Sequence, residues 1–174
     1  MSHTSAAGNY SLWIVPGGEA YDRLSRIIYG LGALNGAPDF CPHVTLLGRL
    51  VGPPRELASQ AQRVAATLRP FMIRLEKIDF RDEYFRSLFV HAVLNEPLRN
   101  AHEAACQAMA RRREPPFMPH LSLLYGNFQR CFKEEVIAEL GPRLETRFKV
   151  RSLHLYRTQG DPRRWRRLAS FGLK

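Results

Sequence analysis

The chain has 174 residues, 45% of them apolar and 24% charged. That composition fits one ordinary globular domain with a real core and excludes a disordered or fibrous chain. No run of about 18 apolar residues occurs, so no transmembrane helix is expected, and the first nine residues lack the basic-then-apolar order of a secretory signal. The formal net charge of +10 sets up an attractive field for anions: nucleotides, RNA or phosphorylated small molecules.

Taken in chain order, Ser11-Leu12-Trp13-Ile14-Val15 reads as a short strand. Tyr21, Leu24, Ile27, Ile28 and Leu31 then share one helical face, with Gly30, Gly32 and Gly36 ending that helix. An extended motif follows, Phe40-Cys41-Pro42-His43-Val44-Thr45-Leu46-Leu47-Gly48. After Pro53-Pro54, the residues Leu57, Ala61, Val64, Ala65 and Leu68 mark a second helix, and residues 71–80 are extended. Ser87-Leu88-Phe89-Val90 is the next strand. Leu98, Ala101, Ala105, Ala108 and Met109 give a helix closed by Glu114-Pro115-Pro116. A second extended motif comes next, Phe117-Met118-Pro119-His120-Leu121-Ser122-Leu123-Leu124-Tyr125. Phe132, Val136, Ile137 and Leu140 mark a last helix, and extended runs lie at 148–157 and 165–173.

The two motifs share Phe-x-Pro-His-aliphatic-hydroxyl-Leu-Leu and stand 77 residues apart, while the strands that precede them start 76 residues apart. Agreement of the two offsets argues for an internal repeat. No Ser/Gly-rich linker separates the halves. The expectation is a single domain over 1–174, duplicated over about 10–80 and 84–174. Its fold class is α+β, two lobes whose antiparallel sheets line a central cleft with helices outside.

In a strand, residues i and i+2 point to the same face. His43 therefore projects with Thr45, and His120 with Ser122, while Val44, Leu46, Leu121 and Leu123 fill the opposite face. Were the halves related by a pseudo-twofold, two imidazoles and two hydroxyls would converge on one tetrahedral phosphate. A neutral imidazole can take a proton from attacking water while a protonated one gives a proton to the leaving ribose oxygen. The hydroxyls can bond the non-bridging oxygens as charge builds on them. A lone histidine would read as a residue of a polar pocket. Two in matching contexts at the repeat spacing read as a catalytic pair, and no cofactor or metal is required.

The three cysteines, Cys41, Cys106 and Cys131, form neither a disulfide framework nor a zinc site, so reduced thiols in a cytoplasmic protein are expected. His91 reads as a strand residue, His102 as a helix residue, His154 as a sheet-face residue, and His3 as part of a mobile terminus. Arg111-Arg112-Arg113 reads as the cationic end of a helix. Residues 157–174 hold six basic residues against Asp161 alone, some of which would line the cleft.

These residues resemble the two-histidine phosphoesterase superfamily, which includes bacterial RNA 2′-5′ ligase-like proteins, and within it the plant and yeast cyclic phosphodiesterase family. The likeness rests on Tyr10-Ser11-Leu12-Trp13 with Pro16, on Pro42-His43-Val44-Thr45, on Met118-Pro119-His120-Leu121-Ser122-Leu123-Leu124-Tyr125, and on the late Trp165. It implies hydrolysis of ADP-ribose 1″,2″-cyclic phosphate to the 1″-phosphate, and of nucleoside 2′,3′-cyclic phosphates to 2′-phosphates. It also implies that His43, Thr45, His120 and Ser122 form the catalytic tetrad, with Trp13 and Tyr125 as aromatic contacts to substrate. Strict alternation puts Tyr125 on the face opposite His120, although it stands just before Gly126, where a strand can end and twist. Trp13 has two open readings, substrate contact or core aromatic. The expected partners are small cyclic nucleotides or ADP-ribose cyclic phosphate, with RNA ends as an alternative, for a monomer that engages no membrane. Other functional readings are RNA-end processing, a 2′-5′ phosphodiesterase that cleaves oligonucleotides, and an RNA-binding module without turnover.

Overall fold

The computed structural model describes residues 9–111 and 116–174. The elements in order are β1 (Tyr10–Ile14), α1 (Gly18–Asn35), β2 (Val44–Leu50), α2 (Pro54–Thr67), β3 (Phe71–Phe80), β4 (Leu88–Ala92), α3 (Glu96–Ala108), β5 (His120–Leu124), α4 (Arg130–Leu140), β6 (Arg143–Val150), β7 (Ser152–Arg157) and β8 (Arg166–Gly172). Single 3-10 turns at Tyr84–Arg86 and Pro162–Arg164 precede β4 and β8. The class is α+β, as the sequence implies. Among the described residues no helix is long and apolar enough to cross a membrane.

Local chemistry explains the element ends. Pro54 opens α2 where a missing N–H costs nothing. The Asn95 side chain caps α3 by accepting from the Leu98 N–H at 3.0 Å. Helix α1 stops at Gly36, which has φ +64° and donates its N–H to the Gly32 carbonyl. Of the three glycines expected to end this helix, only Gly36 does so. Gly30 and Gly32 lie inside it, and Gly32 allows close packing: a Cβ there would come within 3.2 Å of the Ala37 carbonyl oxygen. Helix α3 ends at Ala108, before the expected Glu114-Pro115-Pro116 stop, of which Glu114 and Pro115 lie outside the described residues, as do His3, Arg112 and Arg113. Arg111 does not cap its own helix; its guanidinium donates to the Arg49 carbonyl at 2.8 Å. The expected extended run at 148–157 is two strands, β6 and β7, parted at Arg151.

All strand pairings are antiparallel, in the order β6-β3-β4-β5-β2-β1-β7-β8. The sheet thus has two four-stranded lobes, joined where Val44 of β2 pairs with Leu121 of β5. Helices α2 and α3 back one lobe and α1 and α4 the other. Leu12, Ile14, Val44, Leu46, Leu88, Val90, Leu121 and Leu123 point to the helices and form the core. β3 follows α2 in the chain but pairs with β4 and β6, so it lies in the lobe of the second motif.

Candidate active site

The β2–β5 junction brings the two motifs together. Because the strands run antiparallel with Val44 opposite Leu121, His43 lies on the side of Ser122 and Thr45 on the side of His120. All four project from the face opposite the buried Val44, Leu46, Leu121 and Leu123. The hydroxyl of each motif therefore accompanies the imidazole of the other.

Each imidazole is fixed in the same way. His43 Nδ1 lies 2.7 Å from the Cys41 carbonyl oxygen, and His120 Nδ1 lies 3.0 Å from the Met118 carbonyl oxygen. In both cases the acceptor stands two residues back, across the proline of the motif. A carbonyl can only accept, so Nδ1 carries the proton and Nε2 is left as the exchanging nitrogen. The hydrogen bond persists whether the ring is neutral or charged. His43 is also stacked on Trp13, with ring centroids 3.4 Å apart and planes 7° from parallel. His120 meets the Phe89 ring edge-on at 5.1 Å.

Burial dominates the electrostatics. It lowers His43 to about 4, offset by the hydrogen bond to Cys41 and reinforced by His120. His120 is lowered as well, chiefly by burial, with Arg86 and His91 adding to the effect and the Met118 carbonyl and Glu83 opposing it. The Ser122 hydroxyl donates to the Phe85 carbonyl at 2.9 Å. A phosphate oxygen that accepts this proton competes with that carbonyl.

The two aromatics named with the site, Trp13 and Tyr125, are both buried. Trp13 is 2% exposed, with His43 and Tyr156 both stacked on it, Tyr156 at 4.0 Å, and Trp165 edge-on at 5.7 Å. It packs directly against His43. Tyr125 does swing to the side of Ser122 despite its place in the alternation. It is only 3% exposed, however, stacked on Phe40 at 3.8 Å and bounded by Phe85 and Trp165. Burial also pushes its hydroxyl pKa far above the usual tyrosine range. Two accessible aromatics lie on the Tyr84–Arg86 turn, Tyr84 and the more exposed Phe85, the latter 50% exposed with the half-buried Trp165 ring 5.7 Å away. The sequence carried a signal for Phe85: Tyr84-Phe85 is an aromatic pair set in the charged run Arg81-Asp82-Glu83 and Arg86.

Among the described residues, His102 and His154 have hydrogen-bond partners of their own away from the two motifs. His102 bonds its neighbours on α3 and β2, with Nδ1 2.8 Å from the Leu46 carbonyl and its ring stacked on Phe117. His154 pairs with Ser152. Cys41, Cys106 and Cys131 enter no disulfide among the described residues, and Cys41 Sγ accepts from the Tyr156 hydroxyl at 3.7 Å.

Comparison with known proteins agrees with this architecture. An Arabidopsis thaliana cyclic phosphodiesterase is 24% identical over 117 residues, which cover 67% of this chain and 65% of that protein; the match thus spans just under two thirds of the plant enzyme. The crystal structure of TT0787 from Thermus thermophilus aligns with a TM-score of 0.65 at 19% identity, over 94% of this chain and 97% of that one. LigT of E. coli in its apo form aligns with a TM-score of 0.64 at 17% identity, over 98% and 99%, and a complex of LigT with 3′-AMP aligns with a TM-score of 0.62 at 16% identity, over 95% and 98%. At these identities the structures share the fold. The family described as the 2′-5′ RNA ligase superfamily matches residues 33–162, from the end of α1 to the turn before β8, and the chain belongs to that superfamily.

Proposed function

We propose that the chain is a metal-independent cyclic phosphodiesterase that hydrolyses ribose cyclic phosphates by acid–base catalysis between His43 and His120. The observation that carries this reading is the matched anchoring: two imidazoles, His43 buried and His120 half-buried, each held at Nδ1 by the carbonyl two residues back, at strands that pair with each other. One Nε2 takes a proton from water as its oxygen attacks phosphorus. The other delivers a proton to the departing ribose oxygen, and the P–O bond to that oxygen breaks. In-line displacement puts water and leaving group on opposite sides of phosphorus, so the two roles fall to different histidines. Thr45 and Ser122 donate to the non-bridging oxygens. The substrates are nucleoside 2′,3′-cyclic phosphates, opened to 2′-phosphates, and ADP-ribose 1″,2″-cyclic phosphate, opened to the 1″-phosphate. The Arabidopsis likeness and the 3′-AMP bound to LigT support a ligand of this class. The base stacks on the exposed Phe85 beside Trp165, a contact of about 1–3 kcal/mol, while Trp13 and Tyr125 back the site from behind.

The test is turnover of 2′,3′-cyclic AMP with product identification. His43→Ala and His120→Ala should each lower kcat by about 10²–10⁴-fold, and the wild-type product should co-elute with 2′-AMP. Near-wild-type turnover by either folded variant would remove the pair from the chemistry, and 3′-AMP as the main product would remove the proposed pose.

A further inference from the structure

Helix α4 carries a lysine that proton transfer at the histidines does not use. Lys133 is 1% exposed, although lysine is almost never fully buried unless it is paired. Its Nζ donates to the Asp82 carboxylate at 2.6 Å and to the Arg81 carbonyl at 3.0 Å, and lies 5.1 Å from the centre of the Phe80 ring. Both hydrogen bonds and the ring contact fall on residues 80–82, the three that lead from the end of β3 into the Tyr84–Arg86 turn. As a stabilising device the pair is poor. Desolvating an ammonium is expensive, and the Asp82 side chain is 88% exposed, so water screens the attraction that would offset the cost. An apolar side chain of the same length would fill the space more cheaply. It would not hold the root of the turn at one point.

The rest of the turn is tied to the second histidine motif. The Arg81 N–H donates to the Arg86 carbonyl at 2.9 Å and the Arg86 N–H to the Glu83 carbonyl at 3.0 Å, which closes residues 81–86 on themselves. The Gly126 N–H donates to the Tyr84 carbonyl at 2.9 Å, and the Ser122 hydroxyl to the Phe85 carbonyl at 2.9 Å. The last of these is the bond for which a phosphate oxygen competes. When Ser122 turns to a phosphate the turn loses that tether, and Gly126 and Lys133 keep it in place. One stretch of chain, from His120 to Lys133, thus carries both a candidate catalytic histidine and the anchors of the turn that presents Phe85.

We propose that Lys133 is a positioning residue: it fixes the root of the Arg81–Arg86 turn and, through it, the place of the Phe85 ring against the bound base. The proposal rests on the function proposed above and assigns the turn to binding of the nucleoside rather than to proton transfer. His43 and His120 are held by the Cys41 and Met118 carbonyls, on other segments of the chain, and Ser122 sits on β5. Loosening the turn should therefore reach KM and spare kcat.

The test is Lys133→Met, in the wild-type and the Phe85→Ala backgrounds. Methionine keeps the length of the side chain, and the exposed Asp82 is left solvated rather than buried and unpaired. With 2′,3′-cyclic AMP the single variant should raise KM about tenfold, within the range of one base–aromatic contact, and leave kcat within about twofold. In the Phe85→Ala background it should raise KM no further, because the ring that it positions is gone. Should Lys133→Met fail to fold by urea titration, Asp82→Asn takes its place, with an expected rise of about threefold from a weakened charge-assisted bond and the same comparison of backgrounds. An unchanged KM in the folded variant would overturn the proposal, as would an equal rise in both backgrounds or a loss confined to kcat. Calorimetric binding of 2′-AMP separates this proposal from the hydrolytic reading. A wild type that binds 2′-AMP without turning over the cyclic nucleotide, with binding weakened by Lys133→Met only when Phe85 is present, would end the hydrolytic reading and keep the positioning role. Turnover with a KM indifferent to Lys133→Met would keep the function and remove the role.

Discussion

A carbonyl hydrogen bond at Nδ1 keeps each candidate histidine in one tautomer, and burial then sets its charge. His43 lies at about 4 and His120 below its ordinary value. Catalysis by the pair needs one ring neutral and one protonated. The rate falls as pH rises through the constant of the acid, because the acid loses its proton. It also falls as pH drops through the constant of the base, because the base gains one. Both constants lie below about 6.5, the ordinary histidine value, in the free protein. The kcat/KM profile for 2′,3′-cyclic AMP should therefore be bell-shaped, with its maximum on the acid side of about 6.5. The limbs are apparent constants of the coupled pair. A bound phosphodiester anion favours imidazolium, so the kcat profile should be displaced toward higher pH than the kcat/KM profile. Two pH series with initial-rate fits measure this. A kcat/KM that climbs steadily into alkali would rule out a histidine acid.

At the scale of elements, β1 and the Tyr84–Arg86 turn bring aromatics to the same region for different ends. Trp13 comes from a central strand and has no free face; Phe85 comes from an exposed turn and has one. Trp13→Ala should cost about 3–5 kcal/mol of stability, as for a large buried aromatic, and lower kcat by loosening His43. Phe85→Ala should leave stability nearly unchanged and raise KM about 5–150-fold, the equivalent of one base–aromatic contact. Urea unfolding and steady-state kinetics on both variants would separate the roles; a Trp13 variant altered only in KM would restore it as a substrate contact. The sequence made much of this region legible. The repeated Pro-His-aliphatic-hydroxyl pattern locates both strands and fixes which side chains share a face, because alternation is a local property. The fate of Trp13 was not legible, since its stacking on Tyr156 and His43 depends on β1 lying between β2 and β7, a non-local pairing. Nor could strand periodicity locate Phe85, which lies on a turn outside any alternating run, or find the break at Arg151 inside a run of strand-like residues.

For the whole molecule, the halves of the chain and the halves of the sheet do not coincide. The lobes touch along the sheet at Val44 and Leu121, a narrow junction for two four-stranded units. They are also tied by the path of the chain. β3 leaves the α2 side and pairs with β4 and β6 in the other lobe, while β7 and β8, from the end of the chain, complete the lobe of β1 and β2. A fragment of residues 1–82 would keep β1, β2, α1 and α2 but lose β7 from beside β1 and leave β3 with no partner on either edge. Ile73, Leu75 and Ile78 of β3 are buried in the intact protein and would face water, and so would the ladder groups of the unpaired strand. The complementary fragment, 83–174, would keep β4 and β5 but lack the strand that stands between β4 and β6. Neither fragment should show a cooperative urea transition alone, and an equimolar mixture should regain one as the exchanged strands find their ladders. Circular dichroism with the separate and mixed fragments measures this. Cooperative unfolding of residues 1–82 alone would show that β3 is dispensable to the first lobe and that each half of the chain folds as a unit.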